Sequence, residues 1–158
     1  MNQKMKKRSA NFHMRRSVMV SELLHDLFQA ELGRYRSMIS CAVQPDRYSE
    51  LIVHLCMFQP EVRDRYPNAD EVYLAVDVYD YRSPELRQAR MRKLLNAGLA
   101  EYWVLDITKQ TLNAYRDSSG RIIQTKHGPR AKVPLDSFPD VEIDLSELFN
   151  QVAPVEQE

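Results

Sequence analysis

From Glu71 to Asp106 the chain reads EVYLAVDVYD, then YRSPELRQARMRKLLNAGLA, then EYWVLD. An apolar run, a helical period and a second apolar run follow one another with short joints, which predicts a strand–helix–strand unit. Ser83-Pro84-Glu85 opens its helix with a capping Ser, Pro at the first position and an acid in the first turn, and Asn96-Ala97-Gly98 closes it. Two charged residues break this pattern. Asp77 sits near the end of the first strand, and Arg90 falls on the apolar stripe of the helix, between Leu86 and Leu94 at four-residue steps. Both are expected to point inward. An isolated ion in the interior is very costly, so the simplest arrangement has them face each other.

The rest of the pattern supplies the surroundings. Val20, Leu23, Leu24, Leu27, Phe28 and Leu32 predict a one-sided helix from about Met14 to Leu32, capped at Gly33. Arg36 to Val43 reads as a strand and Gln44 to Glu50 as a turn. Leu51 to Phe58 reads as a strand covered on both faces, with His54 interrupting its middle. Pro60 to Asp70 is a charged loop. Two hairpin-like runs, Leu112 to Arg116 and Arg121 to Thr125, flank Ser118-Ser119-Gly120. A short strand and a closing helical turn are expected before Phe149. The order predicts α/β: a mixed sheet flanked by helices, with the Ser83–Ala97 helix long enough to cross between parallel strands. Residues 1–12 are read as a basic flexible arm, 13–150 as the domain and 151–158 as a disordered tail.

Composition narrows the choice of function only slightly. The 158 residues are 44% hydrophobic, enough for a real core, and Lys plus Arg and Asp plus Glu both total 22, so net charge names no partner. Lys6, Lys7, Arg8, Arg15 and Arg16 precede any acid, and a basic arm of this kind can touch phosphates, although a solvated terminus is the commoner case. Cys41 and Cys56 lie in apolar runs and read as small hydrophobes. No segment is apolar enough to span a membrane and the basic start lacks a signal-peptide core, so a cytoplasmic protein is expected. There is no Gly-rich phosphate loop, nucleophile elbow or Cys–His metal spacing, and no small-molecule cofactor is expected.

Three polar residues therefore interrupt three apolar elements: His54, Asp77 and Arg90. Converging at the open end of a sheet, they would offer a carboxylate for a metal and a cation for a phosphate, the kit of metal-assisted phosphodiester hydrolysis. The sequence resembles the Uma-two group of restriction-endonuclease-like domains, within the PD-(D/E)xK nucleases. The likeness is carried by D-R-Y-S-E at Asp46 to Glu50, V-D-V at Val76 to Val78, A-G-L-A-E-Y-W-V-L-D at Ala97 to Asp106 and P-D-V-E-I-D-L-S-E-L-F at Pro139 to Phe149. It implies a restriction-endonuclease-like fold, DNA as partner, a divalent Mg²⁺ or Mn²⁺ ion, and pairing into a homodimer.

The family's site is an Asp after Pro, an acid in the next strand and a Lys on the following helix. The resemblance places these on His54 (after Val53), Asp77 and Arg90, and all three depart from the pattern. Asp for Glu shortens the reach of a hard ligand, Arg for Lys removes a base and favours a bidentate lock on a carboxylate, and a neutral His is a poor Mg²⁺ ligand. Impaired or absent catalysis is thus expected. If the site is live, Asp77 and His54 hold the ion, preferably Mn²⁺, and Arg90 stabilises phosphate charge. Glu50 or Asp80 could add a carboxylate and Lys93 an amine. The competing reading is a non-catalytic nucleic-acid-binding or assembly module that keeps the nuclease fold.

Overall fold

The computed structural model describes the backbone of residues 3–78 and 84–151, with side chains from 17–78 and 85–151. A long helix, α1 (Gln3–Leu32), leads into the hairpin β1 (Arg36–Asp46) and β2 (Ser49–Phe58). After a single 3-10 turn at Ala69–Glu71 come β3 (Val72–Val78), α2 (Pro84–Asn96) and β4 (Tyr102–Asp106). The chain then forms the hairpin β5 (Thr111–Ser118) and β6 (Arg121–His127), two short strands β7 (Lys132–Pro134) and β8 (Glu142–Asp144), and α3 (Leu145–Asn150). Strands one to six make one sheet in sequence order, and β7 pairs with β8 separately. Among the described strands, β3 and β4 are the parallel neighbours and the other strand pairs are antiparallel. The expected α/β class with a mixed sheet and a crossover helix is what forms.

Some boundaries differ from expectation. The first helix starts at Gln3, so residues 3–12, read as a loose arm, continue it backwards. Backbone helicity there needs no apolar stripe of its own once the following turns are packed. The side chains of Lys6, Lys7, Arg8, Arg15 and Arg16 lie outside the described residues, as do Asp80, Ser83 and the tail from 152. The hairpin strands β1 and β2 also extend closer together than expected, which leaves only Arg47 and Tyr48 between them. The closing segment contains two short strands rather than one, so Lys132, Val133 and Pro134 find ladder partners in Asp144, Ile143 and Glu142.

Two apolar layers cover the sheet. On one face α1 lays down Val20, Leu24, Phe28 and Leu32 at four-residue steps against Leu55, Leu74, Val76, Trp103 and Leu105. On the other, Met91, Leu94 and Leu95 of α2 pack on Cys56, Ala75, Tyr102 and Val104. Alternation assigns each strand residue to one layer, so Val76 and Val78 face α1 whereas Ala75 and Asp77 face α2.

The alternation slips at one place that matters. Ile39 pairs with Leu55 and Cys41 with Val53, which puts Ser40 and His54 opposite each other. Along β2 the residues of the α2 layer are Val53, Cys56 and Phe58, and those of the α1 layer are Leu55 and Met57. The strand therefore changes face at His54. Ser40 has a left-handed backbone, φ +52°, at the same step. This shared kink delivers His54 beside the end of β3 instead of into either core layer.

Candidate active-site position at the end of β3

The convergence expected from sequence is realised. Asp77 on β3, His54 on β2 and Arg90 on α2 meet on the α2 side of the sheet, together with Tyr102 of β4. The Asp77 side chain is 8% exposed and that of Arg90 15%. Arg90 donates from Nε at 3.1 Å and from Nη2 at 2.8 Å to the same oxygen, Asp77 Oδ2. Its Nη2 also donates to the Ile52 carbonyl at 2.8 Å, so one guanidinium ties α2 to β3 and β2. The Tyr102 hydroxyl donates to Oδ2 as well. Oδ2 thus receives three N–H or O–H donors.

Oδ1 has a different neighbour. His54 Nδ1 lies 3.3 Å from it and also accepts the backbone N–H of Val78 at 3.1 Å. A single ring nitrogen cannot hold both bonds. A ring with its proton on Nε2 accepts the Val78 N–H at Nδ1, whereas a ring carrying Nδ1–H donates to Asp77.

Electrostatics follow the contacts. Burial pushes the Asp77 carboxyl up, but His54, the Arg90 charge and the Tyr102 hydroxyl outweigh it and hold the group down at about 2. Burial, and then the Asp77 charge, push the Tyr102 phenol well above its ordinary range, so it stays a donor. Tyr102→Phe removes one of the Oδ2 donors while keeping the ring. It is expected to cost about 1–2 kcal/mol, read as a lower urea midpoint at unchanged slope.

Other expected site residues do not join the cluster. Glu50 bonds Gln44 Nε2 at 3.4 Å on the exposed hairpin. Lys93 donates to Ser49 Oγ at 3.1 Å, away from Asp77. Leu86, expected on the buried stripe with Arg90, is 59% exposed, so the buried face of α2 is Met91, Leu94 and Leu95. An aromatic in an apolar strand is ordinarily core, and the sequence pattern alone gives Tyr102 no other part. Its role was readable in principle, because it pairs with Ala75, two residues before Asp77 on the same face.

The donor set does not suit the divalent ion implied by the resemblance. Mg²⁺ wants about six oxygen ligands in octahedral array. One carboxylate is already saturated on Oδ2 by cationic and phenolic donors, and the adjacent His54 Nδ1 is already taken up by the Val78 amide and Asp77 itself. Among the described residues no group of three His, Cys, Asp or Glu side chains could hold an ion. What this arrangement does chemically is neutralise a buried carboxylate and lock three elements together.

A putative nuclease of the DUF820 group from Anabaena variabilis has a similar crystal structure, with TM-score 0.71 over 87% of this chain and 82% of that one at 14% identity. The likeness establishes the fold as restriction-endonuclease-like α/β. No curated protein matches the sequence. The profile of the Uma2 family, described as putative restriction endonucleases, matches residues 3–146. With that match over most of its length, the chain belongs to the Uma2 family.

Proposed function

We propose that this chain is a nuclease-fold domain that binds nucleic acid and does not hydrolyse it with Mg²⁺. The carrying observation is the occupation of Asp77. Metal-assisted hydrolysis needs an open carboxylate edge, and here Arg90 and Tyr102 take one edge while His54 stands at the other. The family supplies the scaffold, and its description as putative restriction endonucleases supports DNA as the class of partner. The replacements at His54, Asp77 and Arg90 convert the family's reaction centre into a fastener.

A second reading, hydrolysis with Mn²⁺, is favoured by one observation: His54 Nδ1 and Asp77 Oδ1 are 3.3 Å apart, close enough to be neighbouring ligands of one ion. The experiment that separates the two is cleavage of plasmid and single-stranded DNA in Mg²⁺ and in Mn²⁺. It compares the native protein, Asp77→Ala, and a triple variant carrying His54→Asp, Asp77→Glu and Arg90→Lys. The expected result is no cleavage by the native protein and recovered cleavage in the triple variant. Native cleavage that Asp77→Ala removes overturns the proposal and makes the second reading correct.

A further inference from the structure

On the other side of α2 from Asp77, the same face of the sheet forms a groove of about 250 Å³. Its lining includes Arg87 of α2, Asp106 and Lys109 at the β4–β5 turn, Thr111 and Asn113 of β5, and Lys126 of β6. β5 alternates cleanly here. Leu112 and Ala114 go into the α1 layer, and the polar Thr111 and Asn113 stand on the opposite face, before Tyr115 enters the α2 layer. Such a face is stable in water without a covering helix, so it is available to a polar ligand.

The charge of the groove is lopsided in a chain of formal net charge zero. The ammoniums of Lys109 and Lys126 stand against the single carboxylate of Asp106. That carboxylate accepts the backbone N–H of Lys109 at 2.9 Å. Neither the Lys109 nor the Lys126 ammonium makes an ion pair among the described residues. Asn113 Oδ1 accepts from Gln124 Nε2 at 3.1 Å, which leaves its amide hydrogens as the donors it can offer. Ammonium, amide and hydroxyl donors in a cationic slot match acceptor-rich anions, phosphate oxygens above all. The two ammoniums come from a turn and from β6, an arrangement suited to an extended polyanion; a single phosphate is ordinarily met by the N–H groups of one helix end or loop.

We propose that this groove holds the phosphodiester backbone of a nucleic acid strand, with Lys109 and Lys126 as phosphate contacts and Thr111 and Asn113 donating beside them. The proposal rests on the reading that nucleic acid is the partner, and it places the contact on the side of α2 away from Asp77. The test is fluorescence anisotropy of the full chain with a labelled single-stranded oligonucleotide across a salt series. Lys109→Ala with Lys126→Ala is expected to weaken binding roughly tenfold or more and to reduce the log–log salt slope by about 1.4. A charge-matched pair on exposed positions away from the groove, Arg121→Ala with Lys132→Ala, is expected to change affinity less than about twofold. Thermal melts confirm that both pairs are folded.

Equal losses from the two pairs overturn the groove, since only overall charge would then matter. So does inorganic phosphate that displaces the strand better than chloride at equal ionic strength, which would make this a small-anion site. If the native protein binds no oligonucleotide even at low salt, the reading of nucleic acid as partner fails, and the groove proposal fails with it. Binding that persists unchanged in the Lys109/Lys126 pair removes the groove alone.

Discussion

Arg90→Ala is expected to destabilise the protein by about 3–5 kcal/mol, a large part of the stability of a domain this size. The cost comes mainly from what is left behind. Asp77 remains buried with its carboxylate facing Tyr102 and His54, and the Ile52 carbonyl loses the Arg90 donor. Arg90→Lys keeps the charge but loses the fork that reaches Oδ2 and Ile52 together, so a smaller loss is expected. Replacing both partners by apolar residues, Asp77→Leu with Arg90→Met, is expected to cost less than Arg90→Ala alone, because no unpaired charge is buried. Urea denaturation of the three variants checks the order.

The pH dependence carries the same signature. The Asp77 carboxyl sits at about 2 in the fold against an ordinary 3.8, so its folded value is lowered. A lowered carboxylate contributes stability that is complete above the unfolded value and is lost as pH falls through the folded one. The shift corresponds to about 2 kcal/mol, present above pH 4 and lost toward pH 2. In Arg90→Ala the burial that opposes ionisation meets less resistance, and the carboxyl takes up a proton at higher pH. The deficit of this variant against the native protein is therefore expected to shrink between pH 6 and pH 3, which a pH series of melting curves would show.

Gly98→Ala is the second change with a large expected effect, about 2–4 kcal/mol. Gly98 has φ +102°, outside the region that side-chain-bearing residues adopt. An added Cβ would also lie 2.9 Å from Asp70 Cβ and 3.3 Å from Asp70 Cα, so backbone would have to move. The glycine ends α2 with Gly98 N–H donating to the Leu95 carbonyl at 3.1 Å, and it sets the chain's entry to β4. Gly128→Ala, with nothing within 4 Å of the added atom, serves as the control and is expected to be neutral or slightly stabilising. Chemical denaturation of both proteins distinguishes a backbone requirement from a general intolerance of Ala.

The string from Ala97 to Asp106 thereby acquires a physical account. Gly98 makes the turn, Glu101 accepts the Asp136 N–H at 3.1 Å and straps the Leu135–Phe138 turn to the sheet, Tyr102 holds Asp77, and Trp103 and Leu105 fill the α1 layer. Burial raises the Glu101 carboxyl above its usual range, in contrast to Asp77, because no guanidinium bonds it.

Periodicity made the strand–helix–strand unit and the inward aim of Asp77 and Arg90 legible, because alternation in β3 and the helical repeat of α2 leave few other directions for them. The same reasoning failed for Leu86, which shares a four-residue step with Arg90 yet lies on the outer side of α2. A stripe read from sequence spans a wide arc, and only packing fixes which edge of it is buried. His54 was recognised as an interruption, but its delivery to Asp77 depends on the face change opposite Ser40, and no local propensity announces a left-handed serine. Tyr102 was missed because an aromatic in a buried strand is ordinarily core, and its hydroxyl partner lies on a strand joined through a crossover. The groove lined by Lys109 and Lys126 was invisible for a similar reason: β5 and β6 read as a hairpin, with no sign of which of their faces α2 leaves uncovered.

On the proposed function Asp77, held by Arg90 and Tyr102, is closed to a divalent ion. Melting temperature with and without Mn²⁺ and Mg²⁺, measured on the native protein and on Asp77→Ala, decides this. The expected result is no metal-dependent rise for the native protein at any concentration that leaves Asp77→Ala unaffected. A rise in Mn²⁺ that Asp77→Ala abolishes would contradict it and show that the carboxylate is still a ligand.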